Sequence, residues 1–311
     1  MLAPISLSVS RLFGKNLRQT FRVTVAFCAL ILIFSMCKGS TWELCDEWRL
    51  LGAKRTRVEK KVLTFSLFAP GKDEWVNFQW FIQGTIQNAL DAKLYYPEWT
   101  VRVYTIGLNS SVERELLSAS DNVEVAKCVH SRFELSGSRA MLTRFLVYDD
   151  PTVQYFVSRD SDSRLSPREL FAVNEWISSG LGFHVMRDHP EHNAPVLGGM
   201  FGMRRGVLGR KKMRSLLRLA LSQNAKGIHG MRGEDQSFLM RYIWPIVRSQ
   251  TLDHDILSER CRKYGSKVCR SFPMGDRDEN SNVFVGAAFK PIGGAIRNAS
   301  MSHTCAIKCR C

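Results

Sequence analysis

Between Val62 and Val157, short apolar runs alternate with stretches of helical period, and few folds accept that pattern. Val62 to Phe68, Thr100 to Ile106, Val123 to Val125 and Val153 to Val157 read as short strands, several of them closed off by turn-forming residues. Trp75 to Leu90, Val112 to Ser118 and Ser138 to Val147 lie between them and read as helices. Strands and helices in alternation cover both faces of a mainly parallel sheet. The expected fold class is therefore α/β, a mixed, mainly parallel, Rossmann-like sheet flanked by helices in a single domain over residues 61–290. Neither a G-x-G-x-x-G fingerprint nor a P-loop is present, so any nucleotide is held by other means.

The last of these strands ends in Arg159-Asp-Ser-Asp-Ser-Arg164, which places Asp160 and Asp162 two residues apart at its mouth. In extended backbone, residues i and i+2 point to one face. Both carboxylates can then approach one hard cation, in the oxygen-rich and partly hydrated environment that Mg²⁺ or Mn²⁺ takes. Ligands of open α/β sheets bind beyond the carboxyl ends of the strands. The plain alternative is a polar turn after a core strand. Arg139 and Arg144 project from the preceding helix toward that end, either as a solvated face or as contacts to an anionic diphosphate.

Ser166, Pro167 and Glu169 form a helix start, with Ser166 as cap, Pro167 in the first turn and Glu169 completing a capping box. Gly180 ends that helix. Phe183 to Met186 is a short strand, and Arg187-Asp-His-Pro-Glu-His192 after it reads as a substrate-facing loop. Zinc on His184, His189 and His192 is the weaker alternative, because Pro190 breaks any helix that would align them. Val196 to Met203 carries Gly198 and Gly199, which permit close backbone approach to a ligand or tight core packing. Gly209 to Gln223 is an amphipathic helix with a basic outer face, and Gly233-Glu-Asp-Gln236 opens another that stops near Pro245. Phe272 to Gly286 is expected to return along the sheet edge.

Together these elements resemble GT-A-fold, nucleotide-sugar-dependent glycosyltransferases, in particular family 8 and its relatives. The likeness is carried by the helix with Arg144, the strand ending in Arg159-Asp-Ser-Asp162, the Gly-Gly-Met-Phe-Gly strand and Gly233-Glu-Asp-Gln236, and it covers roughly residues 61–290. It implies that Asp160 and Asp162 hold Mn²⁺ or Mg²⁺, which binds the diphosphate of a nucleotide-sugar donor. Gly198 and Gly199 would line the donor-sugar pocket, with Arg139, Arg144 and Arg159 on the nucleotide side. Asp235 and Gln236 would sit beside the reacting sugar, with Glu234 as an alternative acid, and Asp188 would contact sugar or acceptor. His254 lies where a late histidine often completes the metal site, without the His-x2-Gly-x2-Lys-Pro-Trp run that usually surrounds it. The implied activity is transfer of a sugar, with retention, to a glycan, protein or lipid acceptor. The rival readings are a secreted metal-dependent phosphoesterase and a non-catalytic sugar-binding protein.

Val23 to Cys37 is an almost unbroken apolar run preceded by Arg11, Lys15, Arg18 and Arg22. It reads as a signal-anchor with a cytoplasmic tail at 1–22, a stem at 38–60 and the catalytic part lumenal, in the Golgi or endoplasmic reticulum. A cleaved signal peptide, with secretion, is the alternative. Seven cysteines lie beyond the run, of which Cys261 and Cys269 form the natural local pair, and residues 291–311 make a Cys-rich tail. Asn109 and Asn298 head N-glycosylation triplets. The net charge is +15. The excess is uneven: residues 1–61 hold 11 basic against 4 acidic side chains, and Arg204 to Arg218 adds seven basic residues and no acid. A membrane-flanking cluster and a solvated helix face account for much of it. No zinc-finger or RNP signature accompanies the charge, and no nucleic-acid partner is expected.

Overall fold

The strands are β1 (Glu47–Leu51), β2 (Lys60–Phe68), β3 (Thr100–Ile106), β4 (Val123–His130), β5 (Val153–Arg159), β6 (Phe183–Arg187), β7 (Met200–Arg204), β8 (Thr251–Asp255) and β9 (Val268–Arg270). In this computed structural model, residues 45, 47–52, 59–69, 75–130, 137–222, 234–274 and 283–289 are described. Among them the strands form one sheet in the order β1-β4-β3-β2-β5-β7-β6-β8-β9. Five pairings are parallel, β2 with β3 and β5, β3 with β4, β6 with β8, and β8 with β9. The pairings of β1 with β4, β5 with β7 and β6 with β7 are antiparallel. The mixed, mainly parallel α/β sheet is as expected.

From β2 the chain builds β3 and β4 on one side, then returns to place β5 on the other. This reversal is a topological switch point, where an open sheet leaves a crevice beyond its strand ends. Asp160 lies directly after β5, at that crevice.

Helices cover both faces. On one side α1 (Trp75–Tyr95), α2 (Ser110–Ala119) and α3 (Pro167–Ser179) bury Ile82, Leu116 and Trp176 with Phe65, Val103 and Val157. On the other, the 3₁₀ segment Gly137–Asp149, α4 (Met213–Ser222) and α5 (Glu234–Phe238) bury Phe145, Leu217 and Phe238 with Phe156 and Phe201. After α5 the helix passes through a π-turn, Leu239–Ile243, into α6 (Trp244–Val247); α7 (Ser258–Tyr264) joins β8 to β9.

The α3 start forms as expected in part. Ser166 accepts the Glu169 N–H, and Gly180 closes the helix in the left-handed conformation at φ 68°. Asn109 caps α2, its Oδ1 accepting the Val112 N–H at 3.0 Å. Asn109→Ala should therefore lower unfolding stability by about 1 kcal/mol, read from the urea midpoint, whereas Asn109→Asp should not.

Several local expectations give way. Residues 137–149 are 3₁₀ rather than α because neighbouring hydroxyls take their backbone groups: Ser66 Oγ donates to the Met141 carbonyl and accepts the Arg144 N–H. Glu47–Leu51, read as stem, is the edge strand β1, stapled by a Cys45–Cys128 disulfide. The Cys261–Cys269 disulfide is present. The sheet edges are β1 and β9, so the segment 283–289 does not run along an edge. It crosses the end of the strands instead, where Phe289 N donates to the Asp162 carbonyl and Val285 N to Asp188. Among the described residues no helix is long and apolar enough to cross a membrane. The expected anchor at 23–37, Gly233, Asn298 and the tail cysteines lie outside those residues.

Candidate active site

Three segments converge where β5 ends. Arg144 reaches across from the 3₁₀ segment, and its side chain is 2% exposed. Its Nη1 donates to Asp160 Oδ1 at 2.5 Å and to the Arg159 carbonyl at 2.9 Å. Its Nη2 donates to Asp235 Oδ2 at 2.8 Å. One buried guanidinium thus joins the first carboxylate of the strand mouth to Asp235 in the first turn of α5. Asp160 is 40% exposed and Asp235 7%.

The Gly198-Gly199 turn before β7 closes over this pair. A Cβ on Gly199 would fall under 3.0 Å from the Asp160 carboxylate, and one on Gly198 under 3.0 Å from Asp235 Oδ2. The two glycines are there because the carboxylates occupy the space of side chains. Gly198 N donates to Gln236 Oε1 at 3.2 Å, and Gln236 Nε2 to the Val196 carbonyl at 2.5 Å. Gln236 therefore uses its amide to fix the turn that carries Gly198. Asp235 Oδ1 accepts the Gln236 N–H, so Asp235 serves the helix start and the site together.

Arg159 is buried beneath. It donates to the Gly199 carbonyl at 2.9 Å and pairs with Glu169 at 3.0 Å. Glu169 was expected to complete a capping box; its carboxylate turns inward to Arg159 instead. Burial, and secondarily the neighbouring Asp160 charge, raise the Asp162 carboxyl above the ordinary aspartate range. A nearby cation would favour its charged form.

The loop 160–165 is set by α1. Gly84 lies so close to the Ser161 carbonyl that a Cβ would fall under 3.0 Å from it. Four residues on, Asn88 donates to the Ser163 carbonyl at 2.8 Å and accepts the Leu165 N–H at 3.3 Å. Neither was foreseen, although a glycine inside a helix with an asparagine at i+4 was a readable signal, since such a glycine costs about 1 kcal/mol unless something needs the space.

Arg144, Arg159, Asp160, Gly198, Gly199, Asp235 and Gln236 are thus brought together; Asp162 follows in a turn rather than in the expected extended backbone, within electrostatic reach of Asp160 and Arg144. Arg139 lies near the same end and pairs with buried Glu234 at 3.6 Å. Two expected site residues are engaged elsewhere. Asp188 is fully buried, takes both arms of Arg168 at 2.9 Å and accepts the Val285 N–H at 3.0 Å. It anchors the segment 283–289. His254 Nδ1 contacts His184 Nε2 at 2.7 Å, and its Nε2 faces Glu175 at 3.2 Å. Burial holds both imidazoles below their ordinary range.

The loop 188–195 is held by residues remote in sequence. Arg187 lies between Asp253 and Asp255 and donates to the Pro195 carbonyl at 2.6 Å. Arg260 pairs with Asp255 and donates to the His189 and Pro190 carbonyls. His189 and His192 stand against Phe284, and His184 is not with them.

No protein-family model matches this chain, and no curated protein matches it. Among solved structures it is similar to a mannosyltransferase of Pyrobaculum calidifontis in complex with GDP-Man and Mn²⁺. That match has 16% identity and a TM-score of 0.33, covering 61% of this chain and 56% of that one, so the chain spans little more than half its length. It is also similar to a 4-diphosphocytidyl-2C-methyl-D-erythritol synthase of Anaerococcus prevotii, at 9% identity over 67% and 95% of the two chains, TM-score 0.37. A protein of Desulfovibrio desulfuricans described as a nucleotide-diphospho-sugar transferase matches at 12% identity over 62% and 99%, TM-score 0.30. With each TM-score below 0.5, the chemistry below is read from the chain's own residues.

Proposed function

We propose that the chain is a metal-dependent glycosyltransferase that moves a sugar from a nucleotide-sugar donor to a glycan, protein or lipid acceptor in the secretory pathway. One observation carries this reading: Asp160 and Asp162 stand at the switch-point end of β5, with Gly198-Gly199 pressed against Asp160 and Asp235. The pair suits a divalent cation such as Mn²⁺ or Mg²⁺. Both are hard oxygen donors, Asp160 is partly exposed, and burial raises the Asp162 carboxyl, with the Asp160 charge adding to the rise. Among the described residues no cluster of three or more His, Cys, Asp and Glu is arranged for a metal. Waters and donor oxygens would complete the shell, as is usual for Mg²⁺ beside phosphates.

The cation would supply charge neutralisation on the departing diphosphate. The chain's own residues do the rest. Gly198 and Gly199 let backbone approach the donor sugar. Asp235, held by Arg144 and its own helix start, faces that sugar. The bond from the anomeric carbon to the diphosphate breaks and one to the acceptor oxygen forms, and the hydroxyl proton passes to the departing diphosphate. Retention follows from the family-8 resemblance of Gly233-Glu-Asp-Gln236. That resemblance and the basic-flanked apolar run support a type II protein of the Golgi or endoplasmic reticulum membrane, with Asn109, exposed on the domain, as a glycan acceptor.

A thermal-shift panel of nucleotide sugars with and without Mn²⁺ tests the activity class. At a ligand concentration a hundredfold above Kd, binding adds ~2.7 kcal/mol, or about 5–10 °C for a domain of this size. One nucleotide sugar should give that shift only with Mn²⁺. Release of phosphate or nucleotide without sugar transfer would favour the metal-dependent phosphoesterase.

A further inference from the structure

Arg144 is more deeply committed than a donor-contacting arginine would be. Both terminal nitrogens are used on protein acceptors, and Gly198 covers Nη2 closely enough that a Cβ there would stand at 3.0 Å. Its backbone is fixed too, because Thr64 Oγ1 donates to the Arg144 carbonyl at 2.9 Å and Ser66 Oγ accepts its N–H at 3.1 Å. A diphosphate has no open route to this guanidinium.

Its two carboxylates differ in their freedom. Asp235 is 7% exposed and is held a second time by the Gln236 N–H, while Asp160 is 40% exposed at the crevice. Only Asp160 can leave.

We propose that Arg144 is a positioning residue that couples the cation site to Asp235. With no cation bound, Arg144 occupies Asp160 and divides its charge between two carboxylates. When Asp160 turns to a cation, Arg144 is left to Asp235 alone and fixes it. Cation capture thereby sets the acid beside the reacting sugar. This rests on the reading of Asp160 and Asp162 as cation ligands.

The test is Mn²⁺ affinity without nucleotide, read by electron paramagnetic resonance titration of the full chain. Arg144→Gln should bind Mn²⁺ about tenfold tighter, a coupling of ordinary size between two sites. Asp235→Asn should bind more weakly than wild type, because Arg144 then belongs to Asp160 alone. In the Arg144→Gln background that Asp235→Asn effect should vanish, the non-additivity of a coupled pair. If Arg144→Gln does not fold, Arg144→Lys serves: its compact ammonium does not span two carboxylates as the guanidinium fork does, so the Asp235→Asn effect should vanish there as well. Unchanged or weaker Mn²⁺ binding by Arg144→Gln, or the same Asp235→Asn effect in every background, would overturn the coupling. Asp160→Asn separates the two levels: if it leaves Mn²⁺ affinity at the wild-type value, the cation site itself fails.

Discussion

Gly199→Ala is expected to fold and to lose more than a hundredfold in sugar transfer, or ~2.7 kcal/mol in the barrier. The added methyl meets the Asp160 carboxylate at under 3.0 Å. What must yield is the end of a side chain that is 40% exposed, not backbone. Stability therefore changes little, and the damage goes to the position of Asp160. Gly202→Ala, three residues on and inside β7, is the contrast. Its methyl meets the indole of fully buried Trp176, which cannot move out of the way. Overpacking of that kind costs about 1–3 kcal/mol of unfolding stability. Circular dichroism and turnover on both variants separate the two effects. A Gly199→Ala protein with normal turnover would show that the close approach of Gly199 to Asp160 is not needed for transfer.

What could be read in the sequence was whatever depends on neighbours along the chain. The apolar runs gave the strands, and their alternation with helices gave a mainly parallel sheet. Asp160-Ser-Asp162 was visible because the apolar run of β5 stops so abruptly. Gly180 and Ser166 were visible because caps are local. What stayed hidden depends on partners far away. Thr251–Asp255 carries two aspartates and a histidine, and nothing local marks it as a buried strand. It is one because Arg187, 66 and 68 residues earlier, meets its carboxylates, and His184 meets its histidine. The placement of Asp188 against Arg168, 20 residues away, was hidden for the same reason. Glu169 looked like half of a capping box, and no local rule ranks that against a buried arginine. Glu47–Leu51 is polar enough to pass for a stem; it joins the sheet as an edge strand beside the Cys45–Cys128 link.

Asp162→Asn is expected to fold normally and to lose more than a hundredfold in transfer, again ~2.7 kcal/mol or more. The change keeps size and shape and removes one charge. Burial and the Asp160 charge already raise the Asp162 carboxyl, so the ionised form is the strained one at neutral pH. A group whose folded pKa lies above its unfolded value takes stability away as pH rises through that interval, and the neutral amide does not. Thermal stability without metal should thus hold or rise while transfer collapses. That opposition distinguishes a ligand from a structural turn, since a turn residue would lose stability first.

Donor and cation should bind together, because two carboxylates leave most of the cation's shell to water and diphosphate oxygens. Calorimetry of the shifting nucleotide sugar, on wild type and Asp162→Asn, each with Mn²⁺ or with chelator, measures this directly. The expected result is tight binding only for wild type with Mn²⁺, and a weak value shared by the other three. Equal donor affinity in all four would mean that Asp160-Ser-Asp162 is a polar turn, and that the site does not work as a metal-dependent donor site.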